Sequence, residues 1–394
     1  MIKIESPNQC SGCTACASIC GHKAITMVPD AMGFKYPKVD PEKCIECGLC
    51  EKVCPFNDAY ETPSNFPEPI TMGSRLKDEV TLKYSQSGGA FVGLSDVVLN
   101  NQGIVYGCGI DSAFRAVHRR AISKEERDSL RGSKYVQSDL SDIFLQVRKD
   151  LLDGFKVLFS GTPCQTAGLN AFIPKKLRQN LSLVDLVCHG VPGPAIWSSY
   201  LKYIEANYGG KVESVAFRNK KKFGWSRIHI ETFTLRKKGE IDSEDFTNLF
   251  YQHLILRESC FNCPFTNLRR PSDITIGDLW GAEKVNAELA NDKKGLSLVL
   301  INTPAGQDLF DQAQCRMESF PVAIKKVIQP NLRHPSKRPS ARTQFEKEFE
   351  KYGFQYVLKK YGPESFRYRA RYILFRLMHL PIGAFNRLKR LVTK

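Results

Sequence analysis

A chain of 394 residues, 42% hydrophobic and 25% charged, is long enough for two or three packed domains and too apolar to be mainly disordered. Its formal charge of +16 raises nucleic acid or an anionic membrane as partners, but residues 325–394 hold 18 Lys and Arg against 4 Asp and Glu, so that tail carries +14 and the rest only +2. Fourteen Cys without a charged-then-apolar leader at Met1 point to a reducing, cytoplasmic setting rather than secreted disulfides, and no run approaches the ~20 apolar residues of a spanning helix.

Residues 1–56 contain an internal repeat: Cys10, Cys13, Cys16 and Cys20 recur at an offset of 34 as Cys44, Cys47, Cys50 and Cys54. Each half is spaced C-x2-C-x2-C-x3-C, the pattern of bacterial two-cluster ferredoxins. Three thiolates on one tight loop can bind three irons of a cubane, and the fourth iron takes a Cys from the other run. Cys10, Cys13, Cys16 and Cys54 are therefore expected to hold one 4Fe-4S cluster, and Cys44, Cys47, Cys50 and Cys20 the other. Zinc favours paired C-x2-4-C motifs without a third Cys in the loop, and disulfides do not suit a reducing setting. Cys20 is followed by Gly21 where the pattern ends in Pro.

Residues 57–74, with Pro63, Pro67 and Pro69 and no periodicity, read as a linker. Over 75–324 short β-branched runs alternate with helix-like segments, as in an α/β or α+β domain. Strands are expected at 103–106, 156–159, 181–187, 212–217, 228–235, 274–276 and 296–301. Several end in Gly, where a backbone can turn sharply or approach a ligand. Of the remaining Cys, Cys164 and Cys188 each follow a predicted strand, and Cys260 and Cys263 form a C-x2-C pair, so loops at neighbouring strand ends can gather a third 4Fe-4S cluster. A lone Cys is otherwise a small apolar core residue, the role expected of Cys108 and Cys315. Ser87-Gly88-Gly89 opens a helix-like stretch whose N–H groups suit a phosphate.

Residues 330–342 read as a second linker, followed by helical periodicity over 345–360. Beyond it the basic tail has apolar stripes at Phe366, Ala370, Ile373 and Leu377, and again at Ile382, Phe385, Leu388 and Leu391. This favours an anionic membrane surface on the cytoplasmic side, then docking on protein; no groove-reading motif supports nucleic acid. At about −2 per cluster, three clusters bring residues 1–324 to about −4.

The body resembles the family of coenzyme F420 hydrogenase and dehydrogenase beta subunits, with a ferredoxin module in front. The resemblance rests on residues 85–89 (Ser-Gln-Ser-Gly-Gly), 132–135 (Gly-Ser-Lys-Tyr), 161–165 (Gly-Thr-Pro-Cys-Gln), 188–190 (Cys-His-Gly), 260–264 (Cys-Phe-Asn-Cys-Pro) and 273–281 (Asp-Ile-Thr-Ile-Gly-Asp-Leu-Trp-Gly). It implies a flavin, usually FAD, beside a 4Fe-4S cluster on Cys164, Cys188, Cys260 and Cys263. It also implies cofactor contacts among Ser87, Gly88, Gly89, Ser133, Lys134, Tyr135 and Thr162. The expected function is an iron-sulfur flavoprotein oxidoreductase exchanging electrons with a ferredoxin-type donor or acceptor and acting on a small organic substrate or deazaflavin, with surface-polysaccharide synthesis one setting. The alternatives are an electron-transfer subunit serving a partner enzyme and, behind it, a nucleic-acid-binding protein with structural clusters. No catalytic acid or base is identified; His189 and Lys134 are candidates by position in loops alone.

Overall fold

The computed structural model describes residues 1–57, 60–62, 65–227 and 229–365. The N-terminal module carries one hairpin, Ile25–Pro29 (β1) with Lys35–Val39 (β2), and the short helices Ala15–Ile19 and Leu49–Lys52. The body strands are Ile70–Leu76 (β3), Ile104–Ile110 (β4), Ala116–Ala121 (β5), Val157–Gly161 (β6), Leu181–Leu186 (β7), Val212–Ala216 (β8), Glu231–Leu235 (β9), Gly239–Ser243 (β10), Ile274–Asp278 (β11), Ser297–Ile301 (β12) and Met317–Pro321 (β13). Eight of them form one sheet in the order β13-β3-β12-β11-β7-β6-β4-β5, and β10-β9-β8 form a second, smaller sheet. The fold is therefore mixed α and β with a ferredoxin-like module in front.

Four neighbouring strands of the large sheet, β4, β6, β7 and β11, run parallel, and the pairs outside them are antiparallel. Parallel strands are covered on both faces, so they read as continuous apolar runs rather than alternating ones. Their side chains nevertheless divide by the period of two: Val105, Leu158 and Val184 enter one core with the helices Ala90–Asn100 and Pro304–Ala313. Ile104, Tyr106, Val157, Phe159, Leu181 and Leu183 enter the opposite core. That second core also contains Cys13, Ala15 and Val53, so the N-terminal module packs as a layer on this face, against the helices Ile143–Leu152 and Pro163–Phe172.

Three expected boundaries change. Ile70–Ser74, expected as linker, belongs to β3, which pairs with both β12 and β13. Its β-signal is weak because Gly73 lies under Phe320, where an added Cβ would approach the ring to 2.5 Å. Upstream of it, Asn65 donates to the Arg270 carbonyl at 2.7 Å and Tyr60 meets Phe265 edge-on, so this segment lies along the body. The second linker is also built in: Leu332 and Arg342 are buried, and Ser336 donates to the His189 carbonyl at 2.5 Å.

The third change concerns the tail. The helix Arg342–Tyr361, interrupted at Gly353 (φ 77°), buries Phe345, Phe349, Phe354, Val357, Leu358 and Tyr361 in the core that also holds Trp197, Tyr200 and Phe246. It is part of the body, not of an arm. Only residues 366–394, with eight Lys and Arg and no Asp or Glu, are left as the basic segment, and they lie outside the described residues. Residues 1–365 therefore carry +8, about +2 once three clusters at −2 each are counted as before, so the acidic body expected from a division at residue 324 does not hold. Among the described residues no helix is long and apolar enough to cross a membrane. Phe345→Ala is expected to cost about 3–5 kcal/mol, read as a lower urea midpoint.

Candidate functional site

The two Cys loops use the same backbone device. Gly12 and Thr14 have φ of 70° and 66°, and the positions 34 residues on, Glu46 and Gly48, have φ of 55° and 72°. Left-handed residues two and four places after the first Cys curl each loop tightly, and Gly occupies only one of the two places in each copy. Cys10, Cys13, Cys16 and Cys54 line one small cavity of about 20 Å³, so the last Cys of the second run sits with three of the first. Burial, then the charges of Cys16, Cys54 and Cys10, pushes the Cys13 thiol well up; burial with Cys10 and Cys54 pushes Cys16 to about 12. In the other run Cys47 is exposed, Cys44 and Cys50 face the Met1 ammonium, and Cys50 accepts the Ile2 N–H at 3.3 Å. Cys20 caps the helix Ala15–Ile19 and accepts the Ala24 N–H at 3.3 Å.

Cys164 is the second residue of the helix Pro163–Phe172, which follows β6 directly, and Cys188 lies just past β7. Cys260 and Cys263 flank the end of the 3-10 turn Glu258–Asn262. Burial raises Cys260 well above the ordinary thiol value, with Cys188, Cys263 and Cys164 adding to it; burial with Cys164 takes Cys188 to about 12, and burial with Cys164 and Cys188 takes Cys263 to about 12. Four mutually opposing thiols in one buried place are a donor set that ionises together only around a cationic metal core. The residues fit a 4Fe-4S cluster in chemistry and number. Among the described residues no three His, Cys, Asp or Glu side chains close on a single-ion position. Cys108 is half-buried and lines the large cavity at the strand ends, whereas Cys315 is exposed, so the core role expected of Cys315 is wrong.

The thiol groups adjoin one another. An added Cβ on Gly168, one turn after Cys164 in the helix Pro163–Phe172, would lie 2.8 Å from the Cys13 sulfur, and the Ser11 side chain reaches Cys164. Phe56, at the end of the N-terminal module, meets Phe265 edge-on beyond Cys263.

A cavity of about 800 Å³ opens at the carboxyl ends of β4, β6, β7 and β11, where open α/β sheets bind ligands. Ser87, Gly89, Ser133, Lys134, Tyr135, Thr162 and Cys188 line it. Gly88 does not: its Cβ position is filled by the Ser74 carbonyl at 2.1 Å, so it is a packing glycine behind the wall. The Gly88 and Ala90 N–H groups both go to the Ser297 hydroxyl, at 2.9 and 3.4 Å, which removes two of the donors expected to face a phosphate. Lys134 donates to the carbonyls of Leu130 and Arg131, and burial pulls its ammonium down to about 8.

Asp278, at the end of β11, has no role legible in the 273–281 motif alone. Its carboxylate accepts from Ser87 (2.6 Å), Trp225 (2.7 Å) and Arg218 (2.6 Å), so one acid fixes the 85–89 loop across 191 residues. Arg218 and Trp225 carry no local signal, because their partners are distant in sequence. The His189 and His253 rings share a hydrogen bond of 2.8 Å, with Asn331 at the other His189 nitrogen; burial lowers His189 to about 4. Behind Tyr135 lie His229, its ring 3.9 Å away, and the fully buried Glu231, which accepts from Thr247.

Residues 154–320 match the family model for the C terminus of the coenzyme F420 hydrogenase/dehydrogenase beta subunit, and residues 9–57 match the 4Fe-4S dicluster domain. The chain thus joins an iron-sulfur dicluster domain to a domain of the family of F420 hydrogenase and dehydrogenase beta subunits. One subunit of the F(420)H(2) dehydrogenase of Methanosarcina mazei is 22% identical over 330 residues, 78% of this chain and 83% of that protein. A polyferredoxin-like protein of Methanocaldococcus jannaschii is 41% identical over 59 residues, and the chain spans only 35% of its length. In the solved F420-reducing NiFe hydrogenase complex of Methanosarcina barkeri, one chain aligns with a TM-score of 0.47 at 18% identity, over 76% of this chain and 93% of its own.

Burial raises Glu231 to about 8 from its ordinary 4.5. The folded state then holds a proton that the unfolded chain releases, so this contribution to stability is full below pH 4.5 and is lost as pH rises toward 8. Glu231→Gln is therefore expected to gain in melting temperature relative to wild type between pH 5 and 8; a constant difference would refute the assignment.

Proposed function

We propose that this chain is an iron-sulfur flavoprotein subunit that exchanges single electrons with a protein partner and hydride equivalents with a deazaflavin-type coenzyme. The observation carrying this reading is continuity: the Cys13 loop packs on the Cys164 helix, and Cys188 belongs both to the third thiol set and to the cavity wall. A pure electron carrier needs no 800 Å³ cavity at a strand-end edge. A flavin bound there supplies the conversion between one-electron and two-electron transfer.

The residues have separable tasks. Cys47, exposed at the outer run, gives a partner access to that end. Asp278 orders Ser87 and Arg218 before any ligand binds, so the loop that meets the cofactor needs little rearrangement. Lys134 keeps an ammonium in the cavity wall, its donors directed to two carbonyls, where it favours developing negative charge. Tyr135 lines the cavity with aromatic surface, and Tyr251, exposed, lines it on the solvent side. Residues 366–394, rich in Arg and Lys, are proposed to attach the protein to an anionic lipid surface.

Anaerobically purified protein is expected to contain about 12 iron atoms, from three clusters of four, and one flavin; about 8 iron and no flavin would overturn the reading. Cys188→Ser is expected to remove about four irons while leaving those of the N-terminal module. Ending the chain after Ser365 is expected to abolish binding to vesicles of anionic lipid, and unchanged binding would remove the tail's assignment.

A further inference from the structure

The side chain of Arg257 is 1% exposed, yet among the described residues it has no carboxylate partner. Nε donates to the Cys10 carbonyl at 2.7 Å, Nη1 to Gln137 Oε1 at 2.9 Å, and Nη2 to the Lys35 carbonyl at 2.9 Å. Nη2 also points at the Cys10 sulfur, 3.7 Å away. The guanidinium stacks over Tyr36, 4.3 Å from the ring centre, and fills the space a Cβ on Gly12 would occupy. Asp30 feels its charge without pairing to it. Sealing a guanidinium from water is costly unless an anion compensates it.

Two candidate anions adjoin it. Besides touching Cys10, Arg257 is built into the loop of the third thiol set: its carbonyl accepts the Cys260 N–H at 3.0 Å, and its own N–H goes to the Val191 carbonyl, three residues past Cys188, at 3.0 Å. In the outer run Cys47 is exposed, so water and salt screen that end. Net charge and hydrogen bonds to sulfur are levers on cluster potential.

We propose that Arg257 is the shared counter-ion of the two inner clusters, holding their midpoint potentials above that of the outer cluster so that electrons arriving at Cys47 run inward. This rests on the reading that Cys10, Cys13, Cys16 and Cys54, and Cys164, Cys188, Cys260 and Cys263, hold those clusters. Arg257 is a positioning residue and takes no part in chemistry at the cavity.

The test is a potentiometric titration, followed by electron paramagnetic resonance, of the anaerobically loaded full chain as wild type, Arg257→Gln and Arg257→Lys, with iron measured in each. A wild type well short of about 12 irons defeats the cluster reading itself, before any variant is compared. With iron retained, Arg257→Gln is expected to make two of the three clusters about tenfold harder to reduce, ~59 mV for one electron, and to leave the third in place. Arg257→Lys, which keeps the charge and loses the fork, is expected to stay within about twofold of wild type, ~18 mV on the same constant. Unchanged midpoints, an equal fall in all three, or a fall confined to one overturns the proposal. Should the Gln variant fail to load iron, the Lys variant decides alone: a tenfold fall there shows that charge is not the cause.

Discussion

A single guanidinium ties the redox parts of this molecule together. Arg257 takes its side-chain partners from the first Cys loop, from the hairpin and from the loop at Gln137. Its own backbone is bonded to Val191 on one side and Cys260 on the other. The loop that gathers the third thiol set and the loop that gathers the first are thus built around one side chain. Gln137 adds a second tie, donating to the Ser11 carbonyl at 2.8 Å. Networks of this kind fix relative position because every member is satisfied only in one arrangement.

The large sheet explains why everything converges on one edge. Four parallel strands deliver their carboxyl ends to the same side, and each is followed by a residue of consequence: Cys164 after β6, Cys188 after β7, Asp278 at the end of β11 and Cys108 within β4. β12, antiparallel to β11, starts at the same rim with Ser297, and β3, antiparallel to β12, ends there ahead of the 85–89 loop. The cavity follows from strand polarity, with its lining supplied by strand ends far apart in sequence.

That pattern sets what could be read in advance. The Cys repeat was legible because its chemistry is local: spacing, loop and crossover lie within 56 residues. The apolar runs at 156–159, 181–187, 274–276 and 296–301 correspond to β6, β7, β11 and β12, since strands buried on both faces advertise themselves. β3 was hidden by Gly73 and Ser74, small because neighbours crowd them. β5 was hidden by His118, Arg119 and Arg120, polar because they meet Ser160, the Ile110 carbonyl and Asp150. The helix at 345–360 was visible as a helix, but its docking was not, because Trp197 and Tyr200 lie about 150 residues away. Arg257 and Arg218 were illegible for the same reason: a lone Arg shows nothing of a partner brought to it by the fold.

Met32 and Phe34, from the N-terminal hairpin, share a core with Phe345, Phe354 and Leu358. At synthesis rates of about 5–20 residues per second, the later members leave the ribosome on the order of tens of seconds after the earlier ones. Through that interval the hairpin lacks the part of its core that Phe345, Phe354 and Leu358 supply, so the N-terminal module reaches its final packing only after a helix made more than 300 residues later has docked.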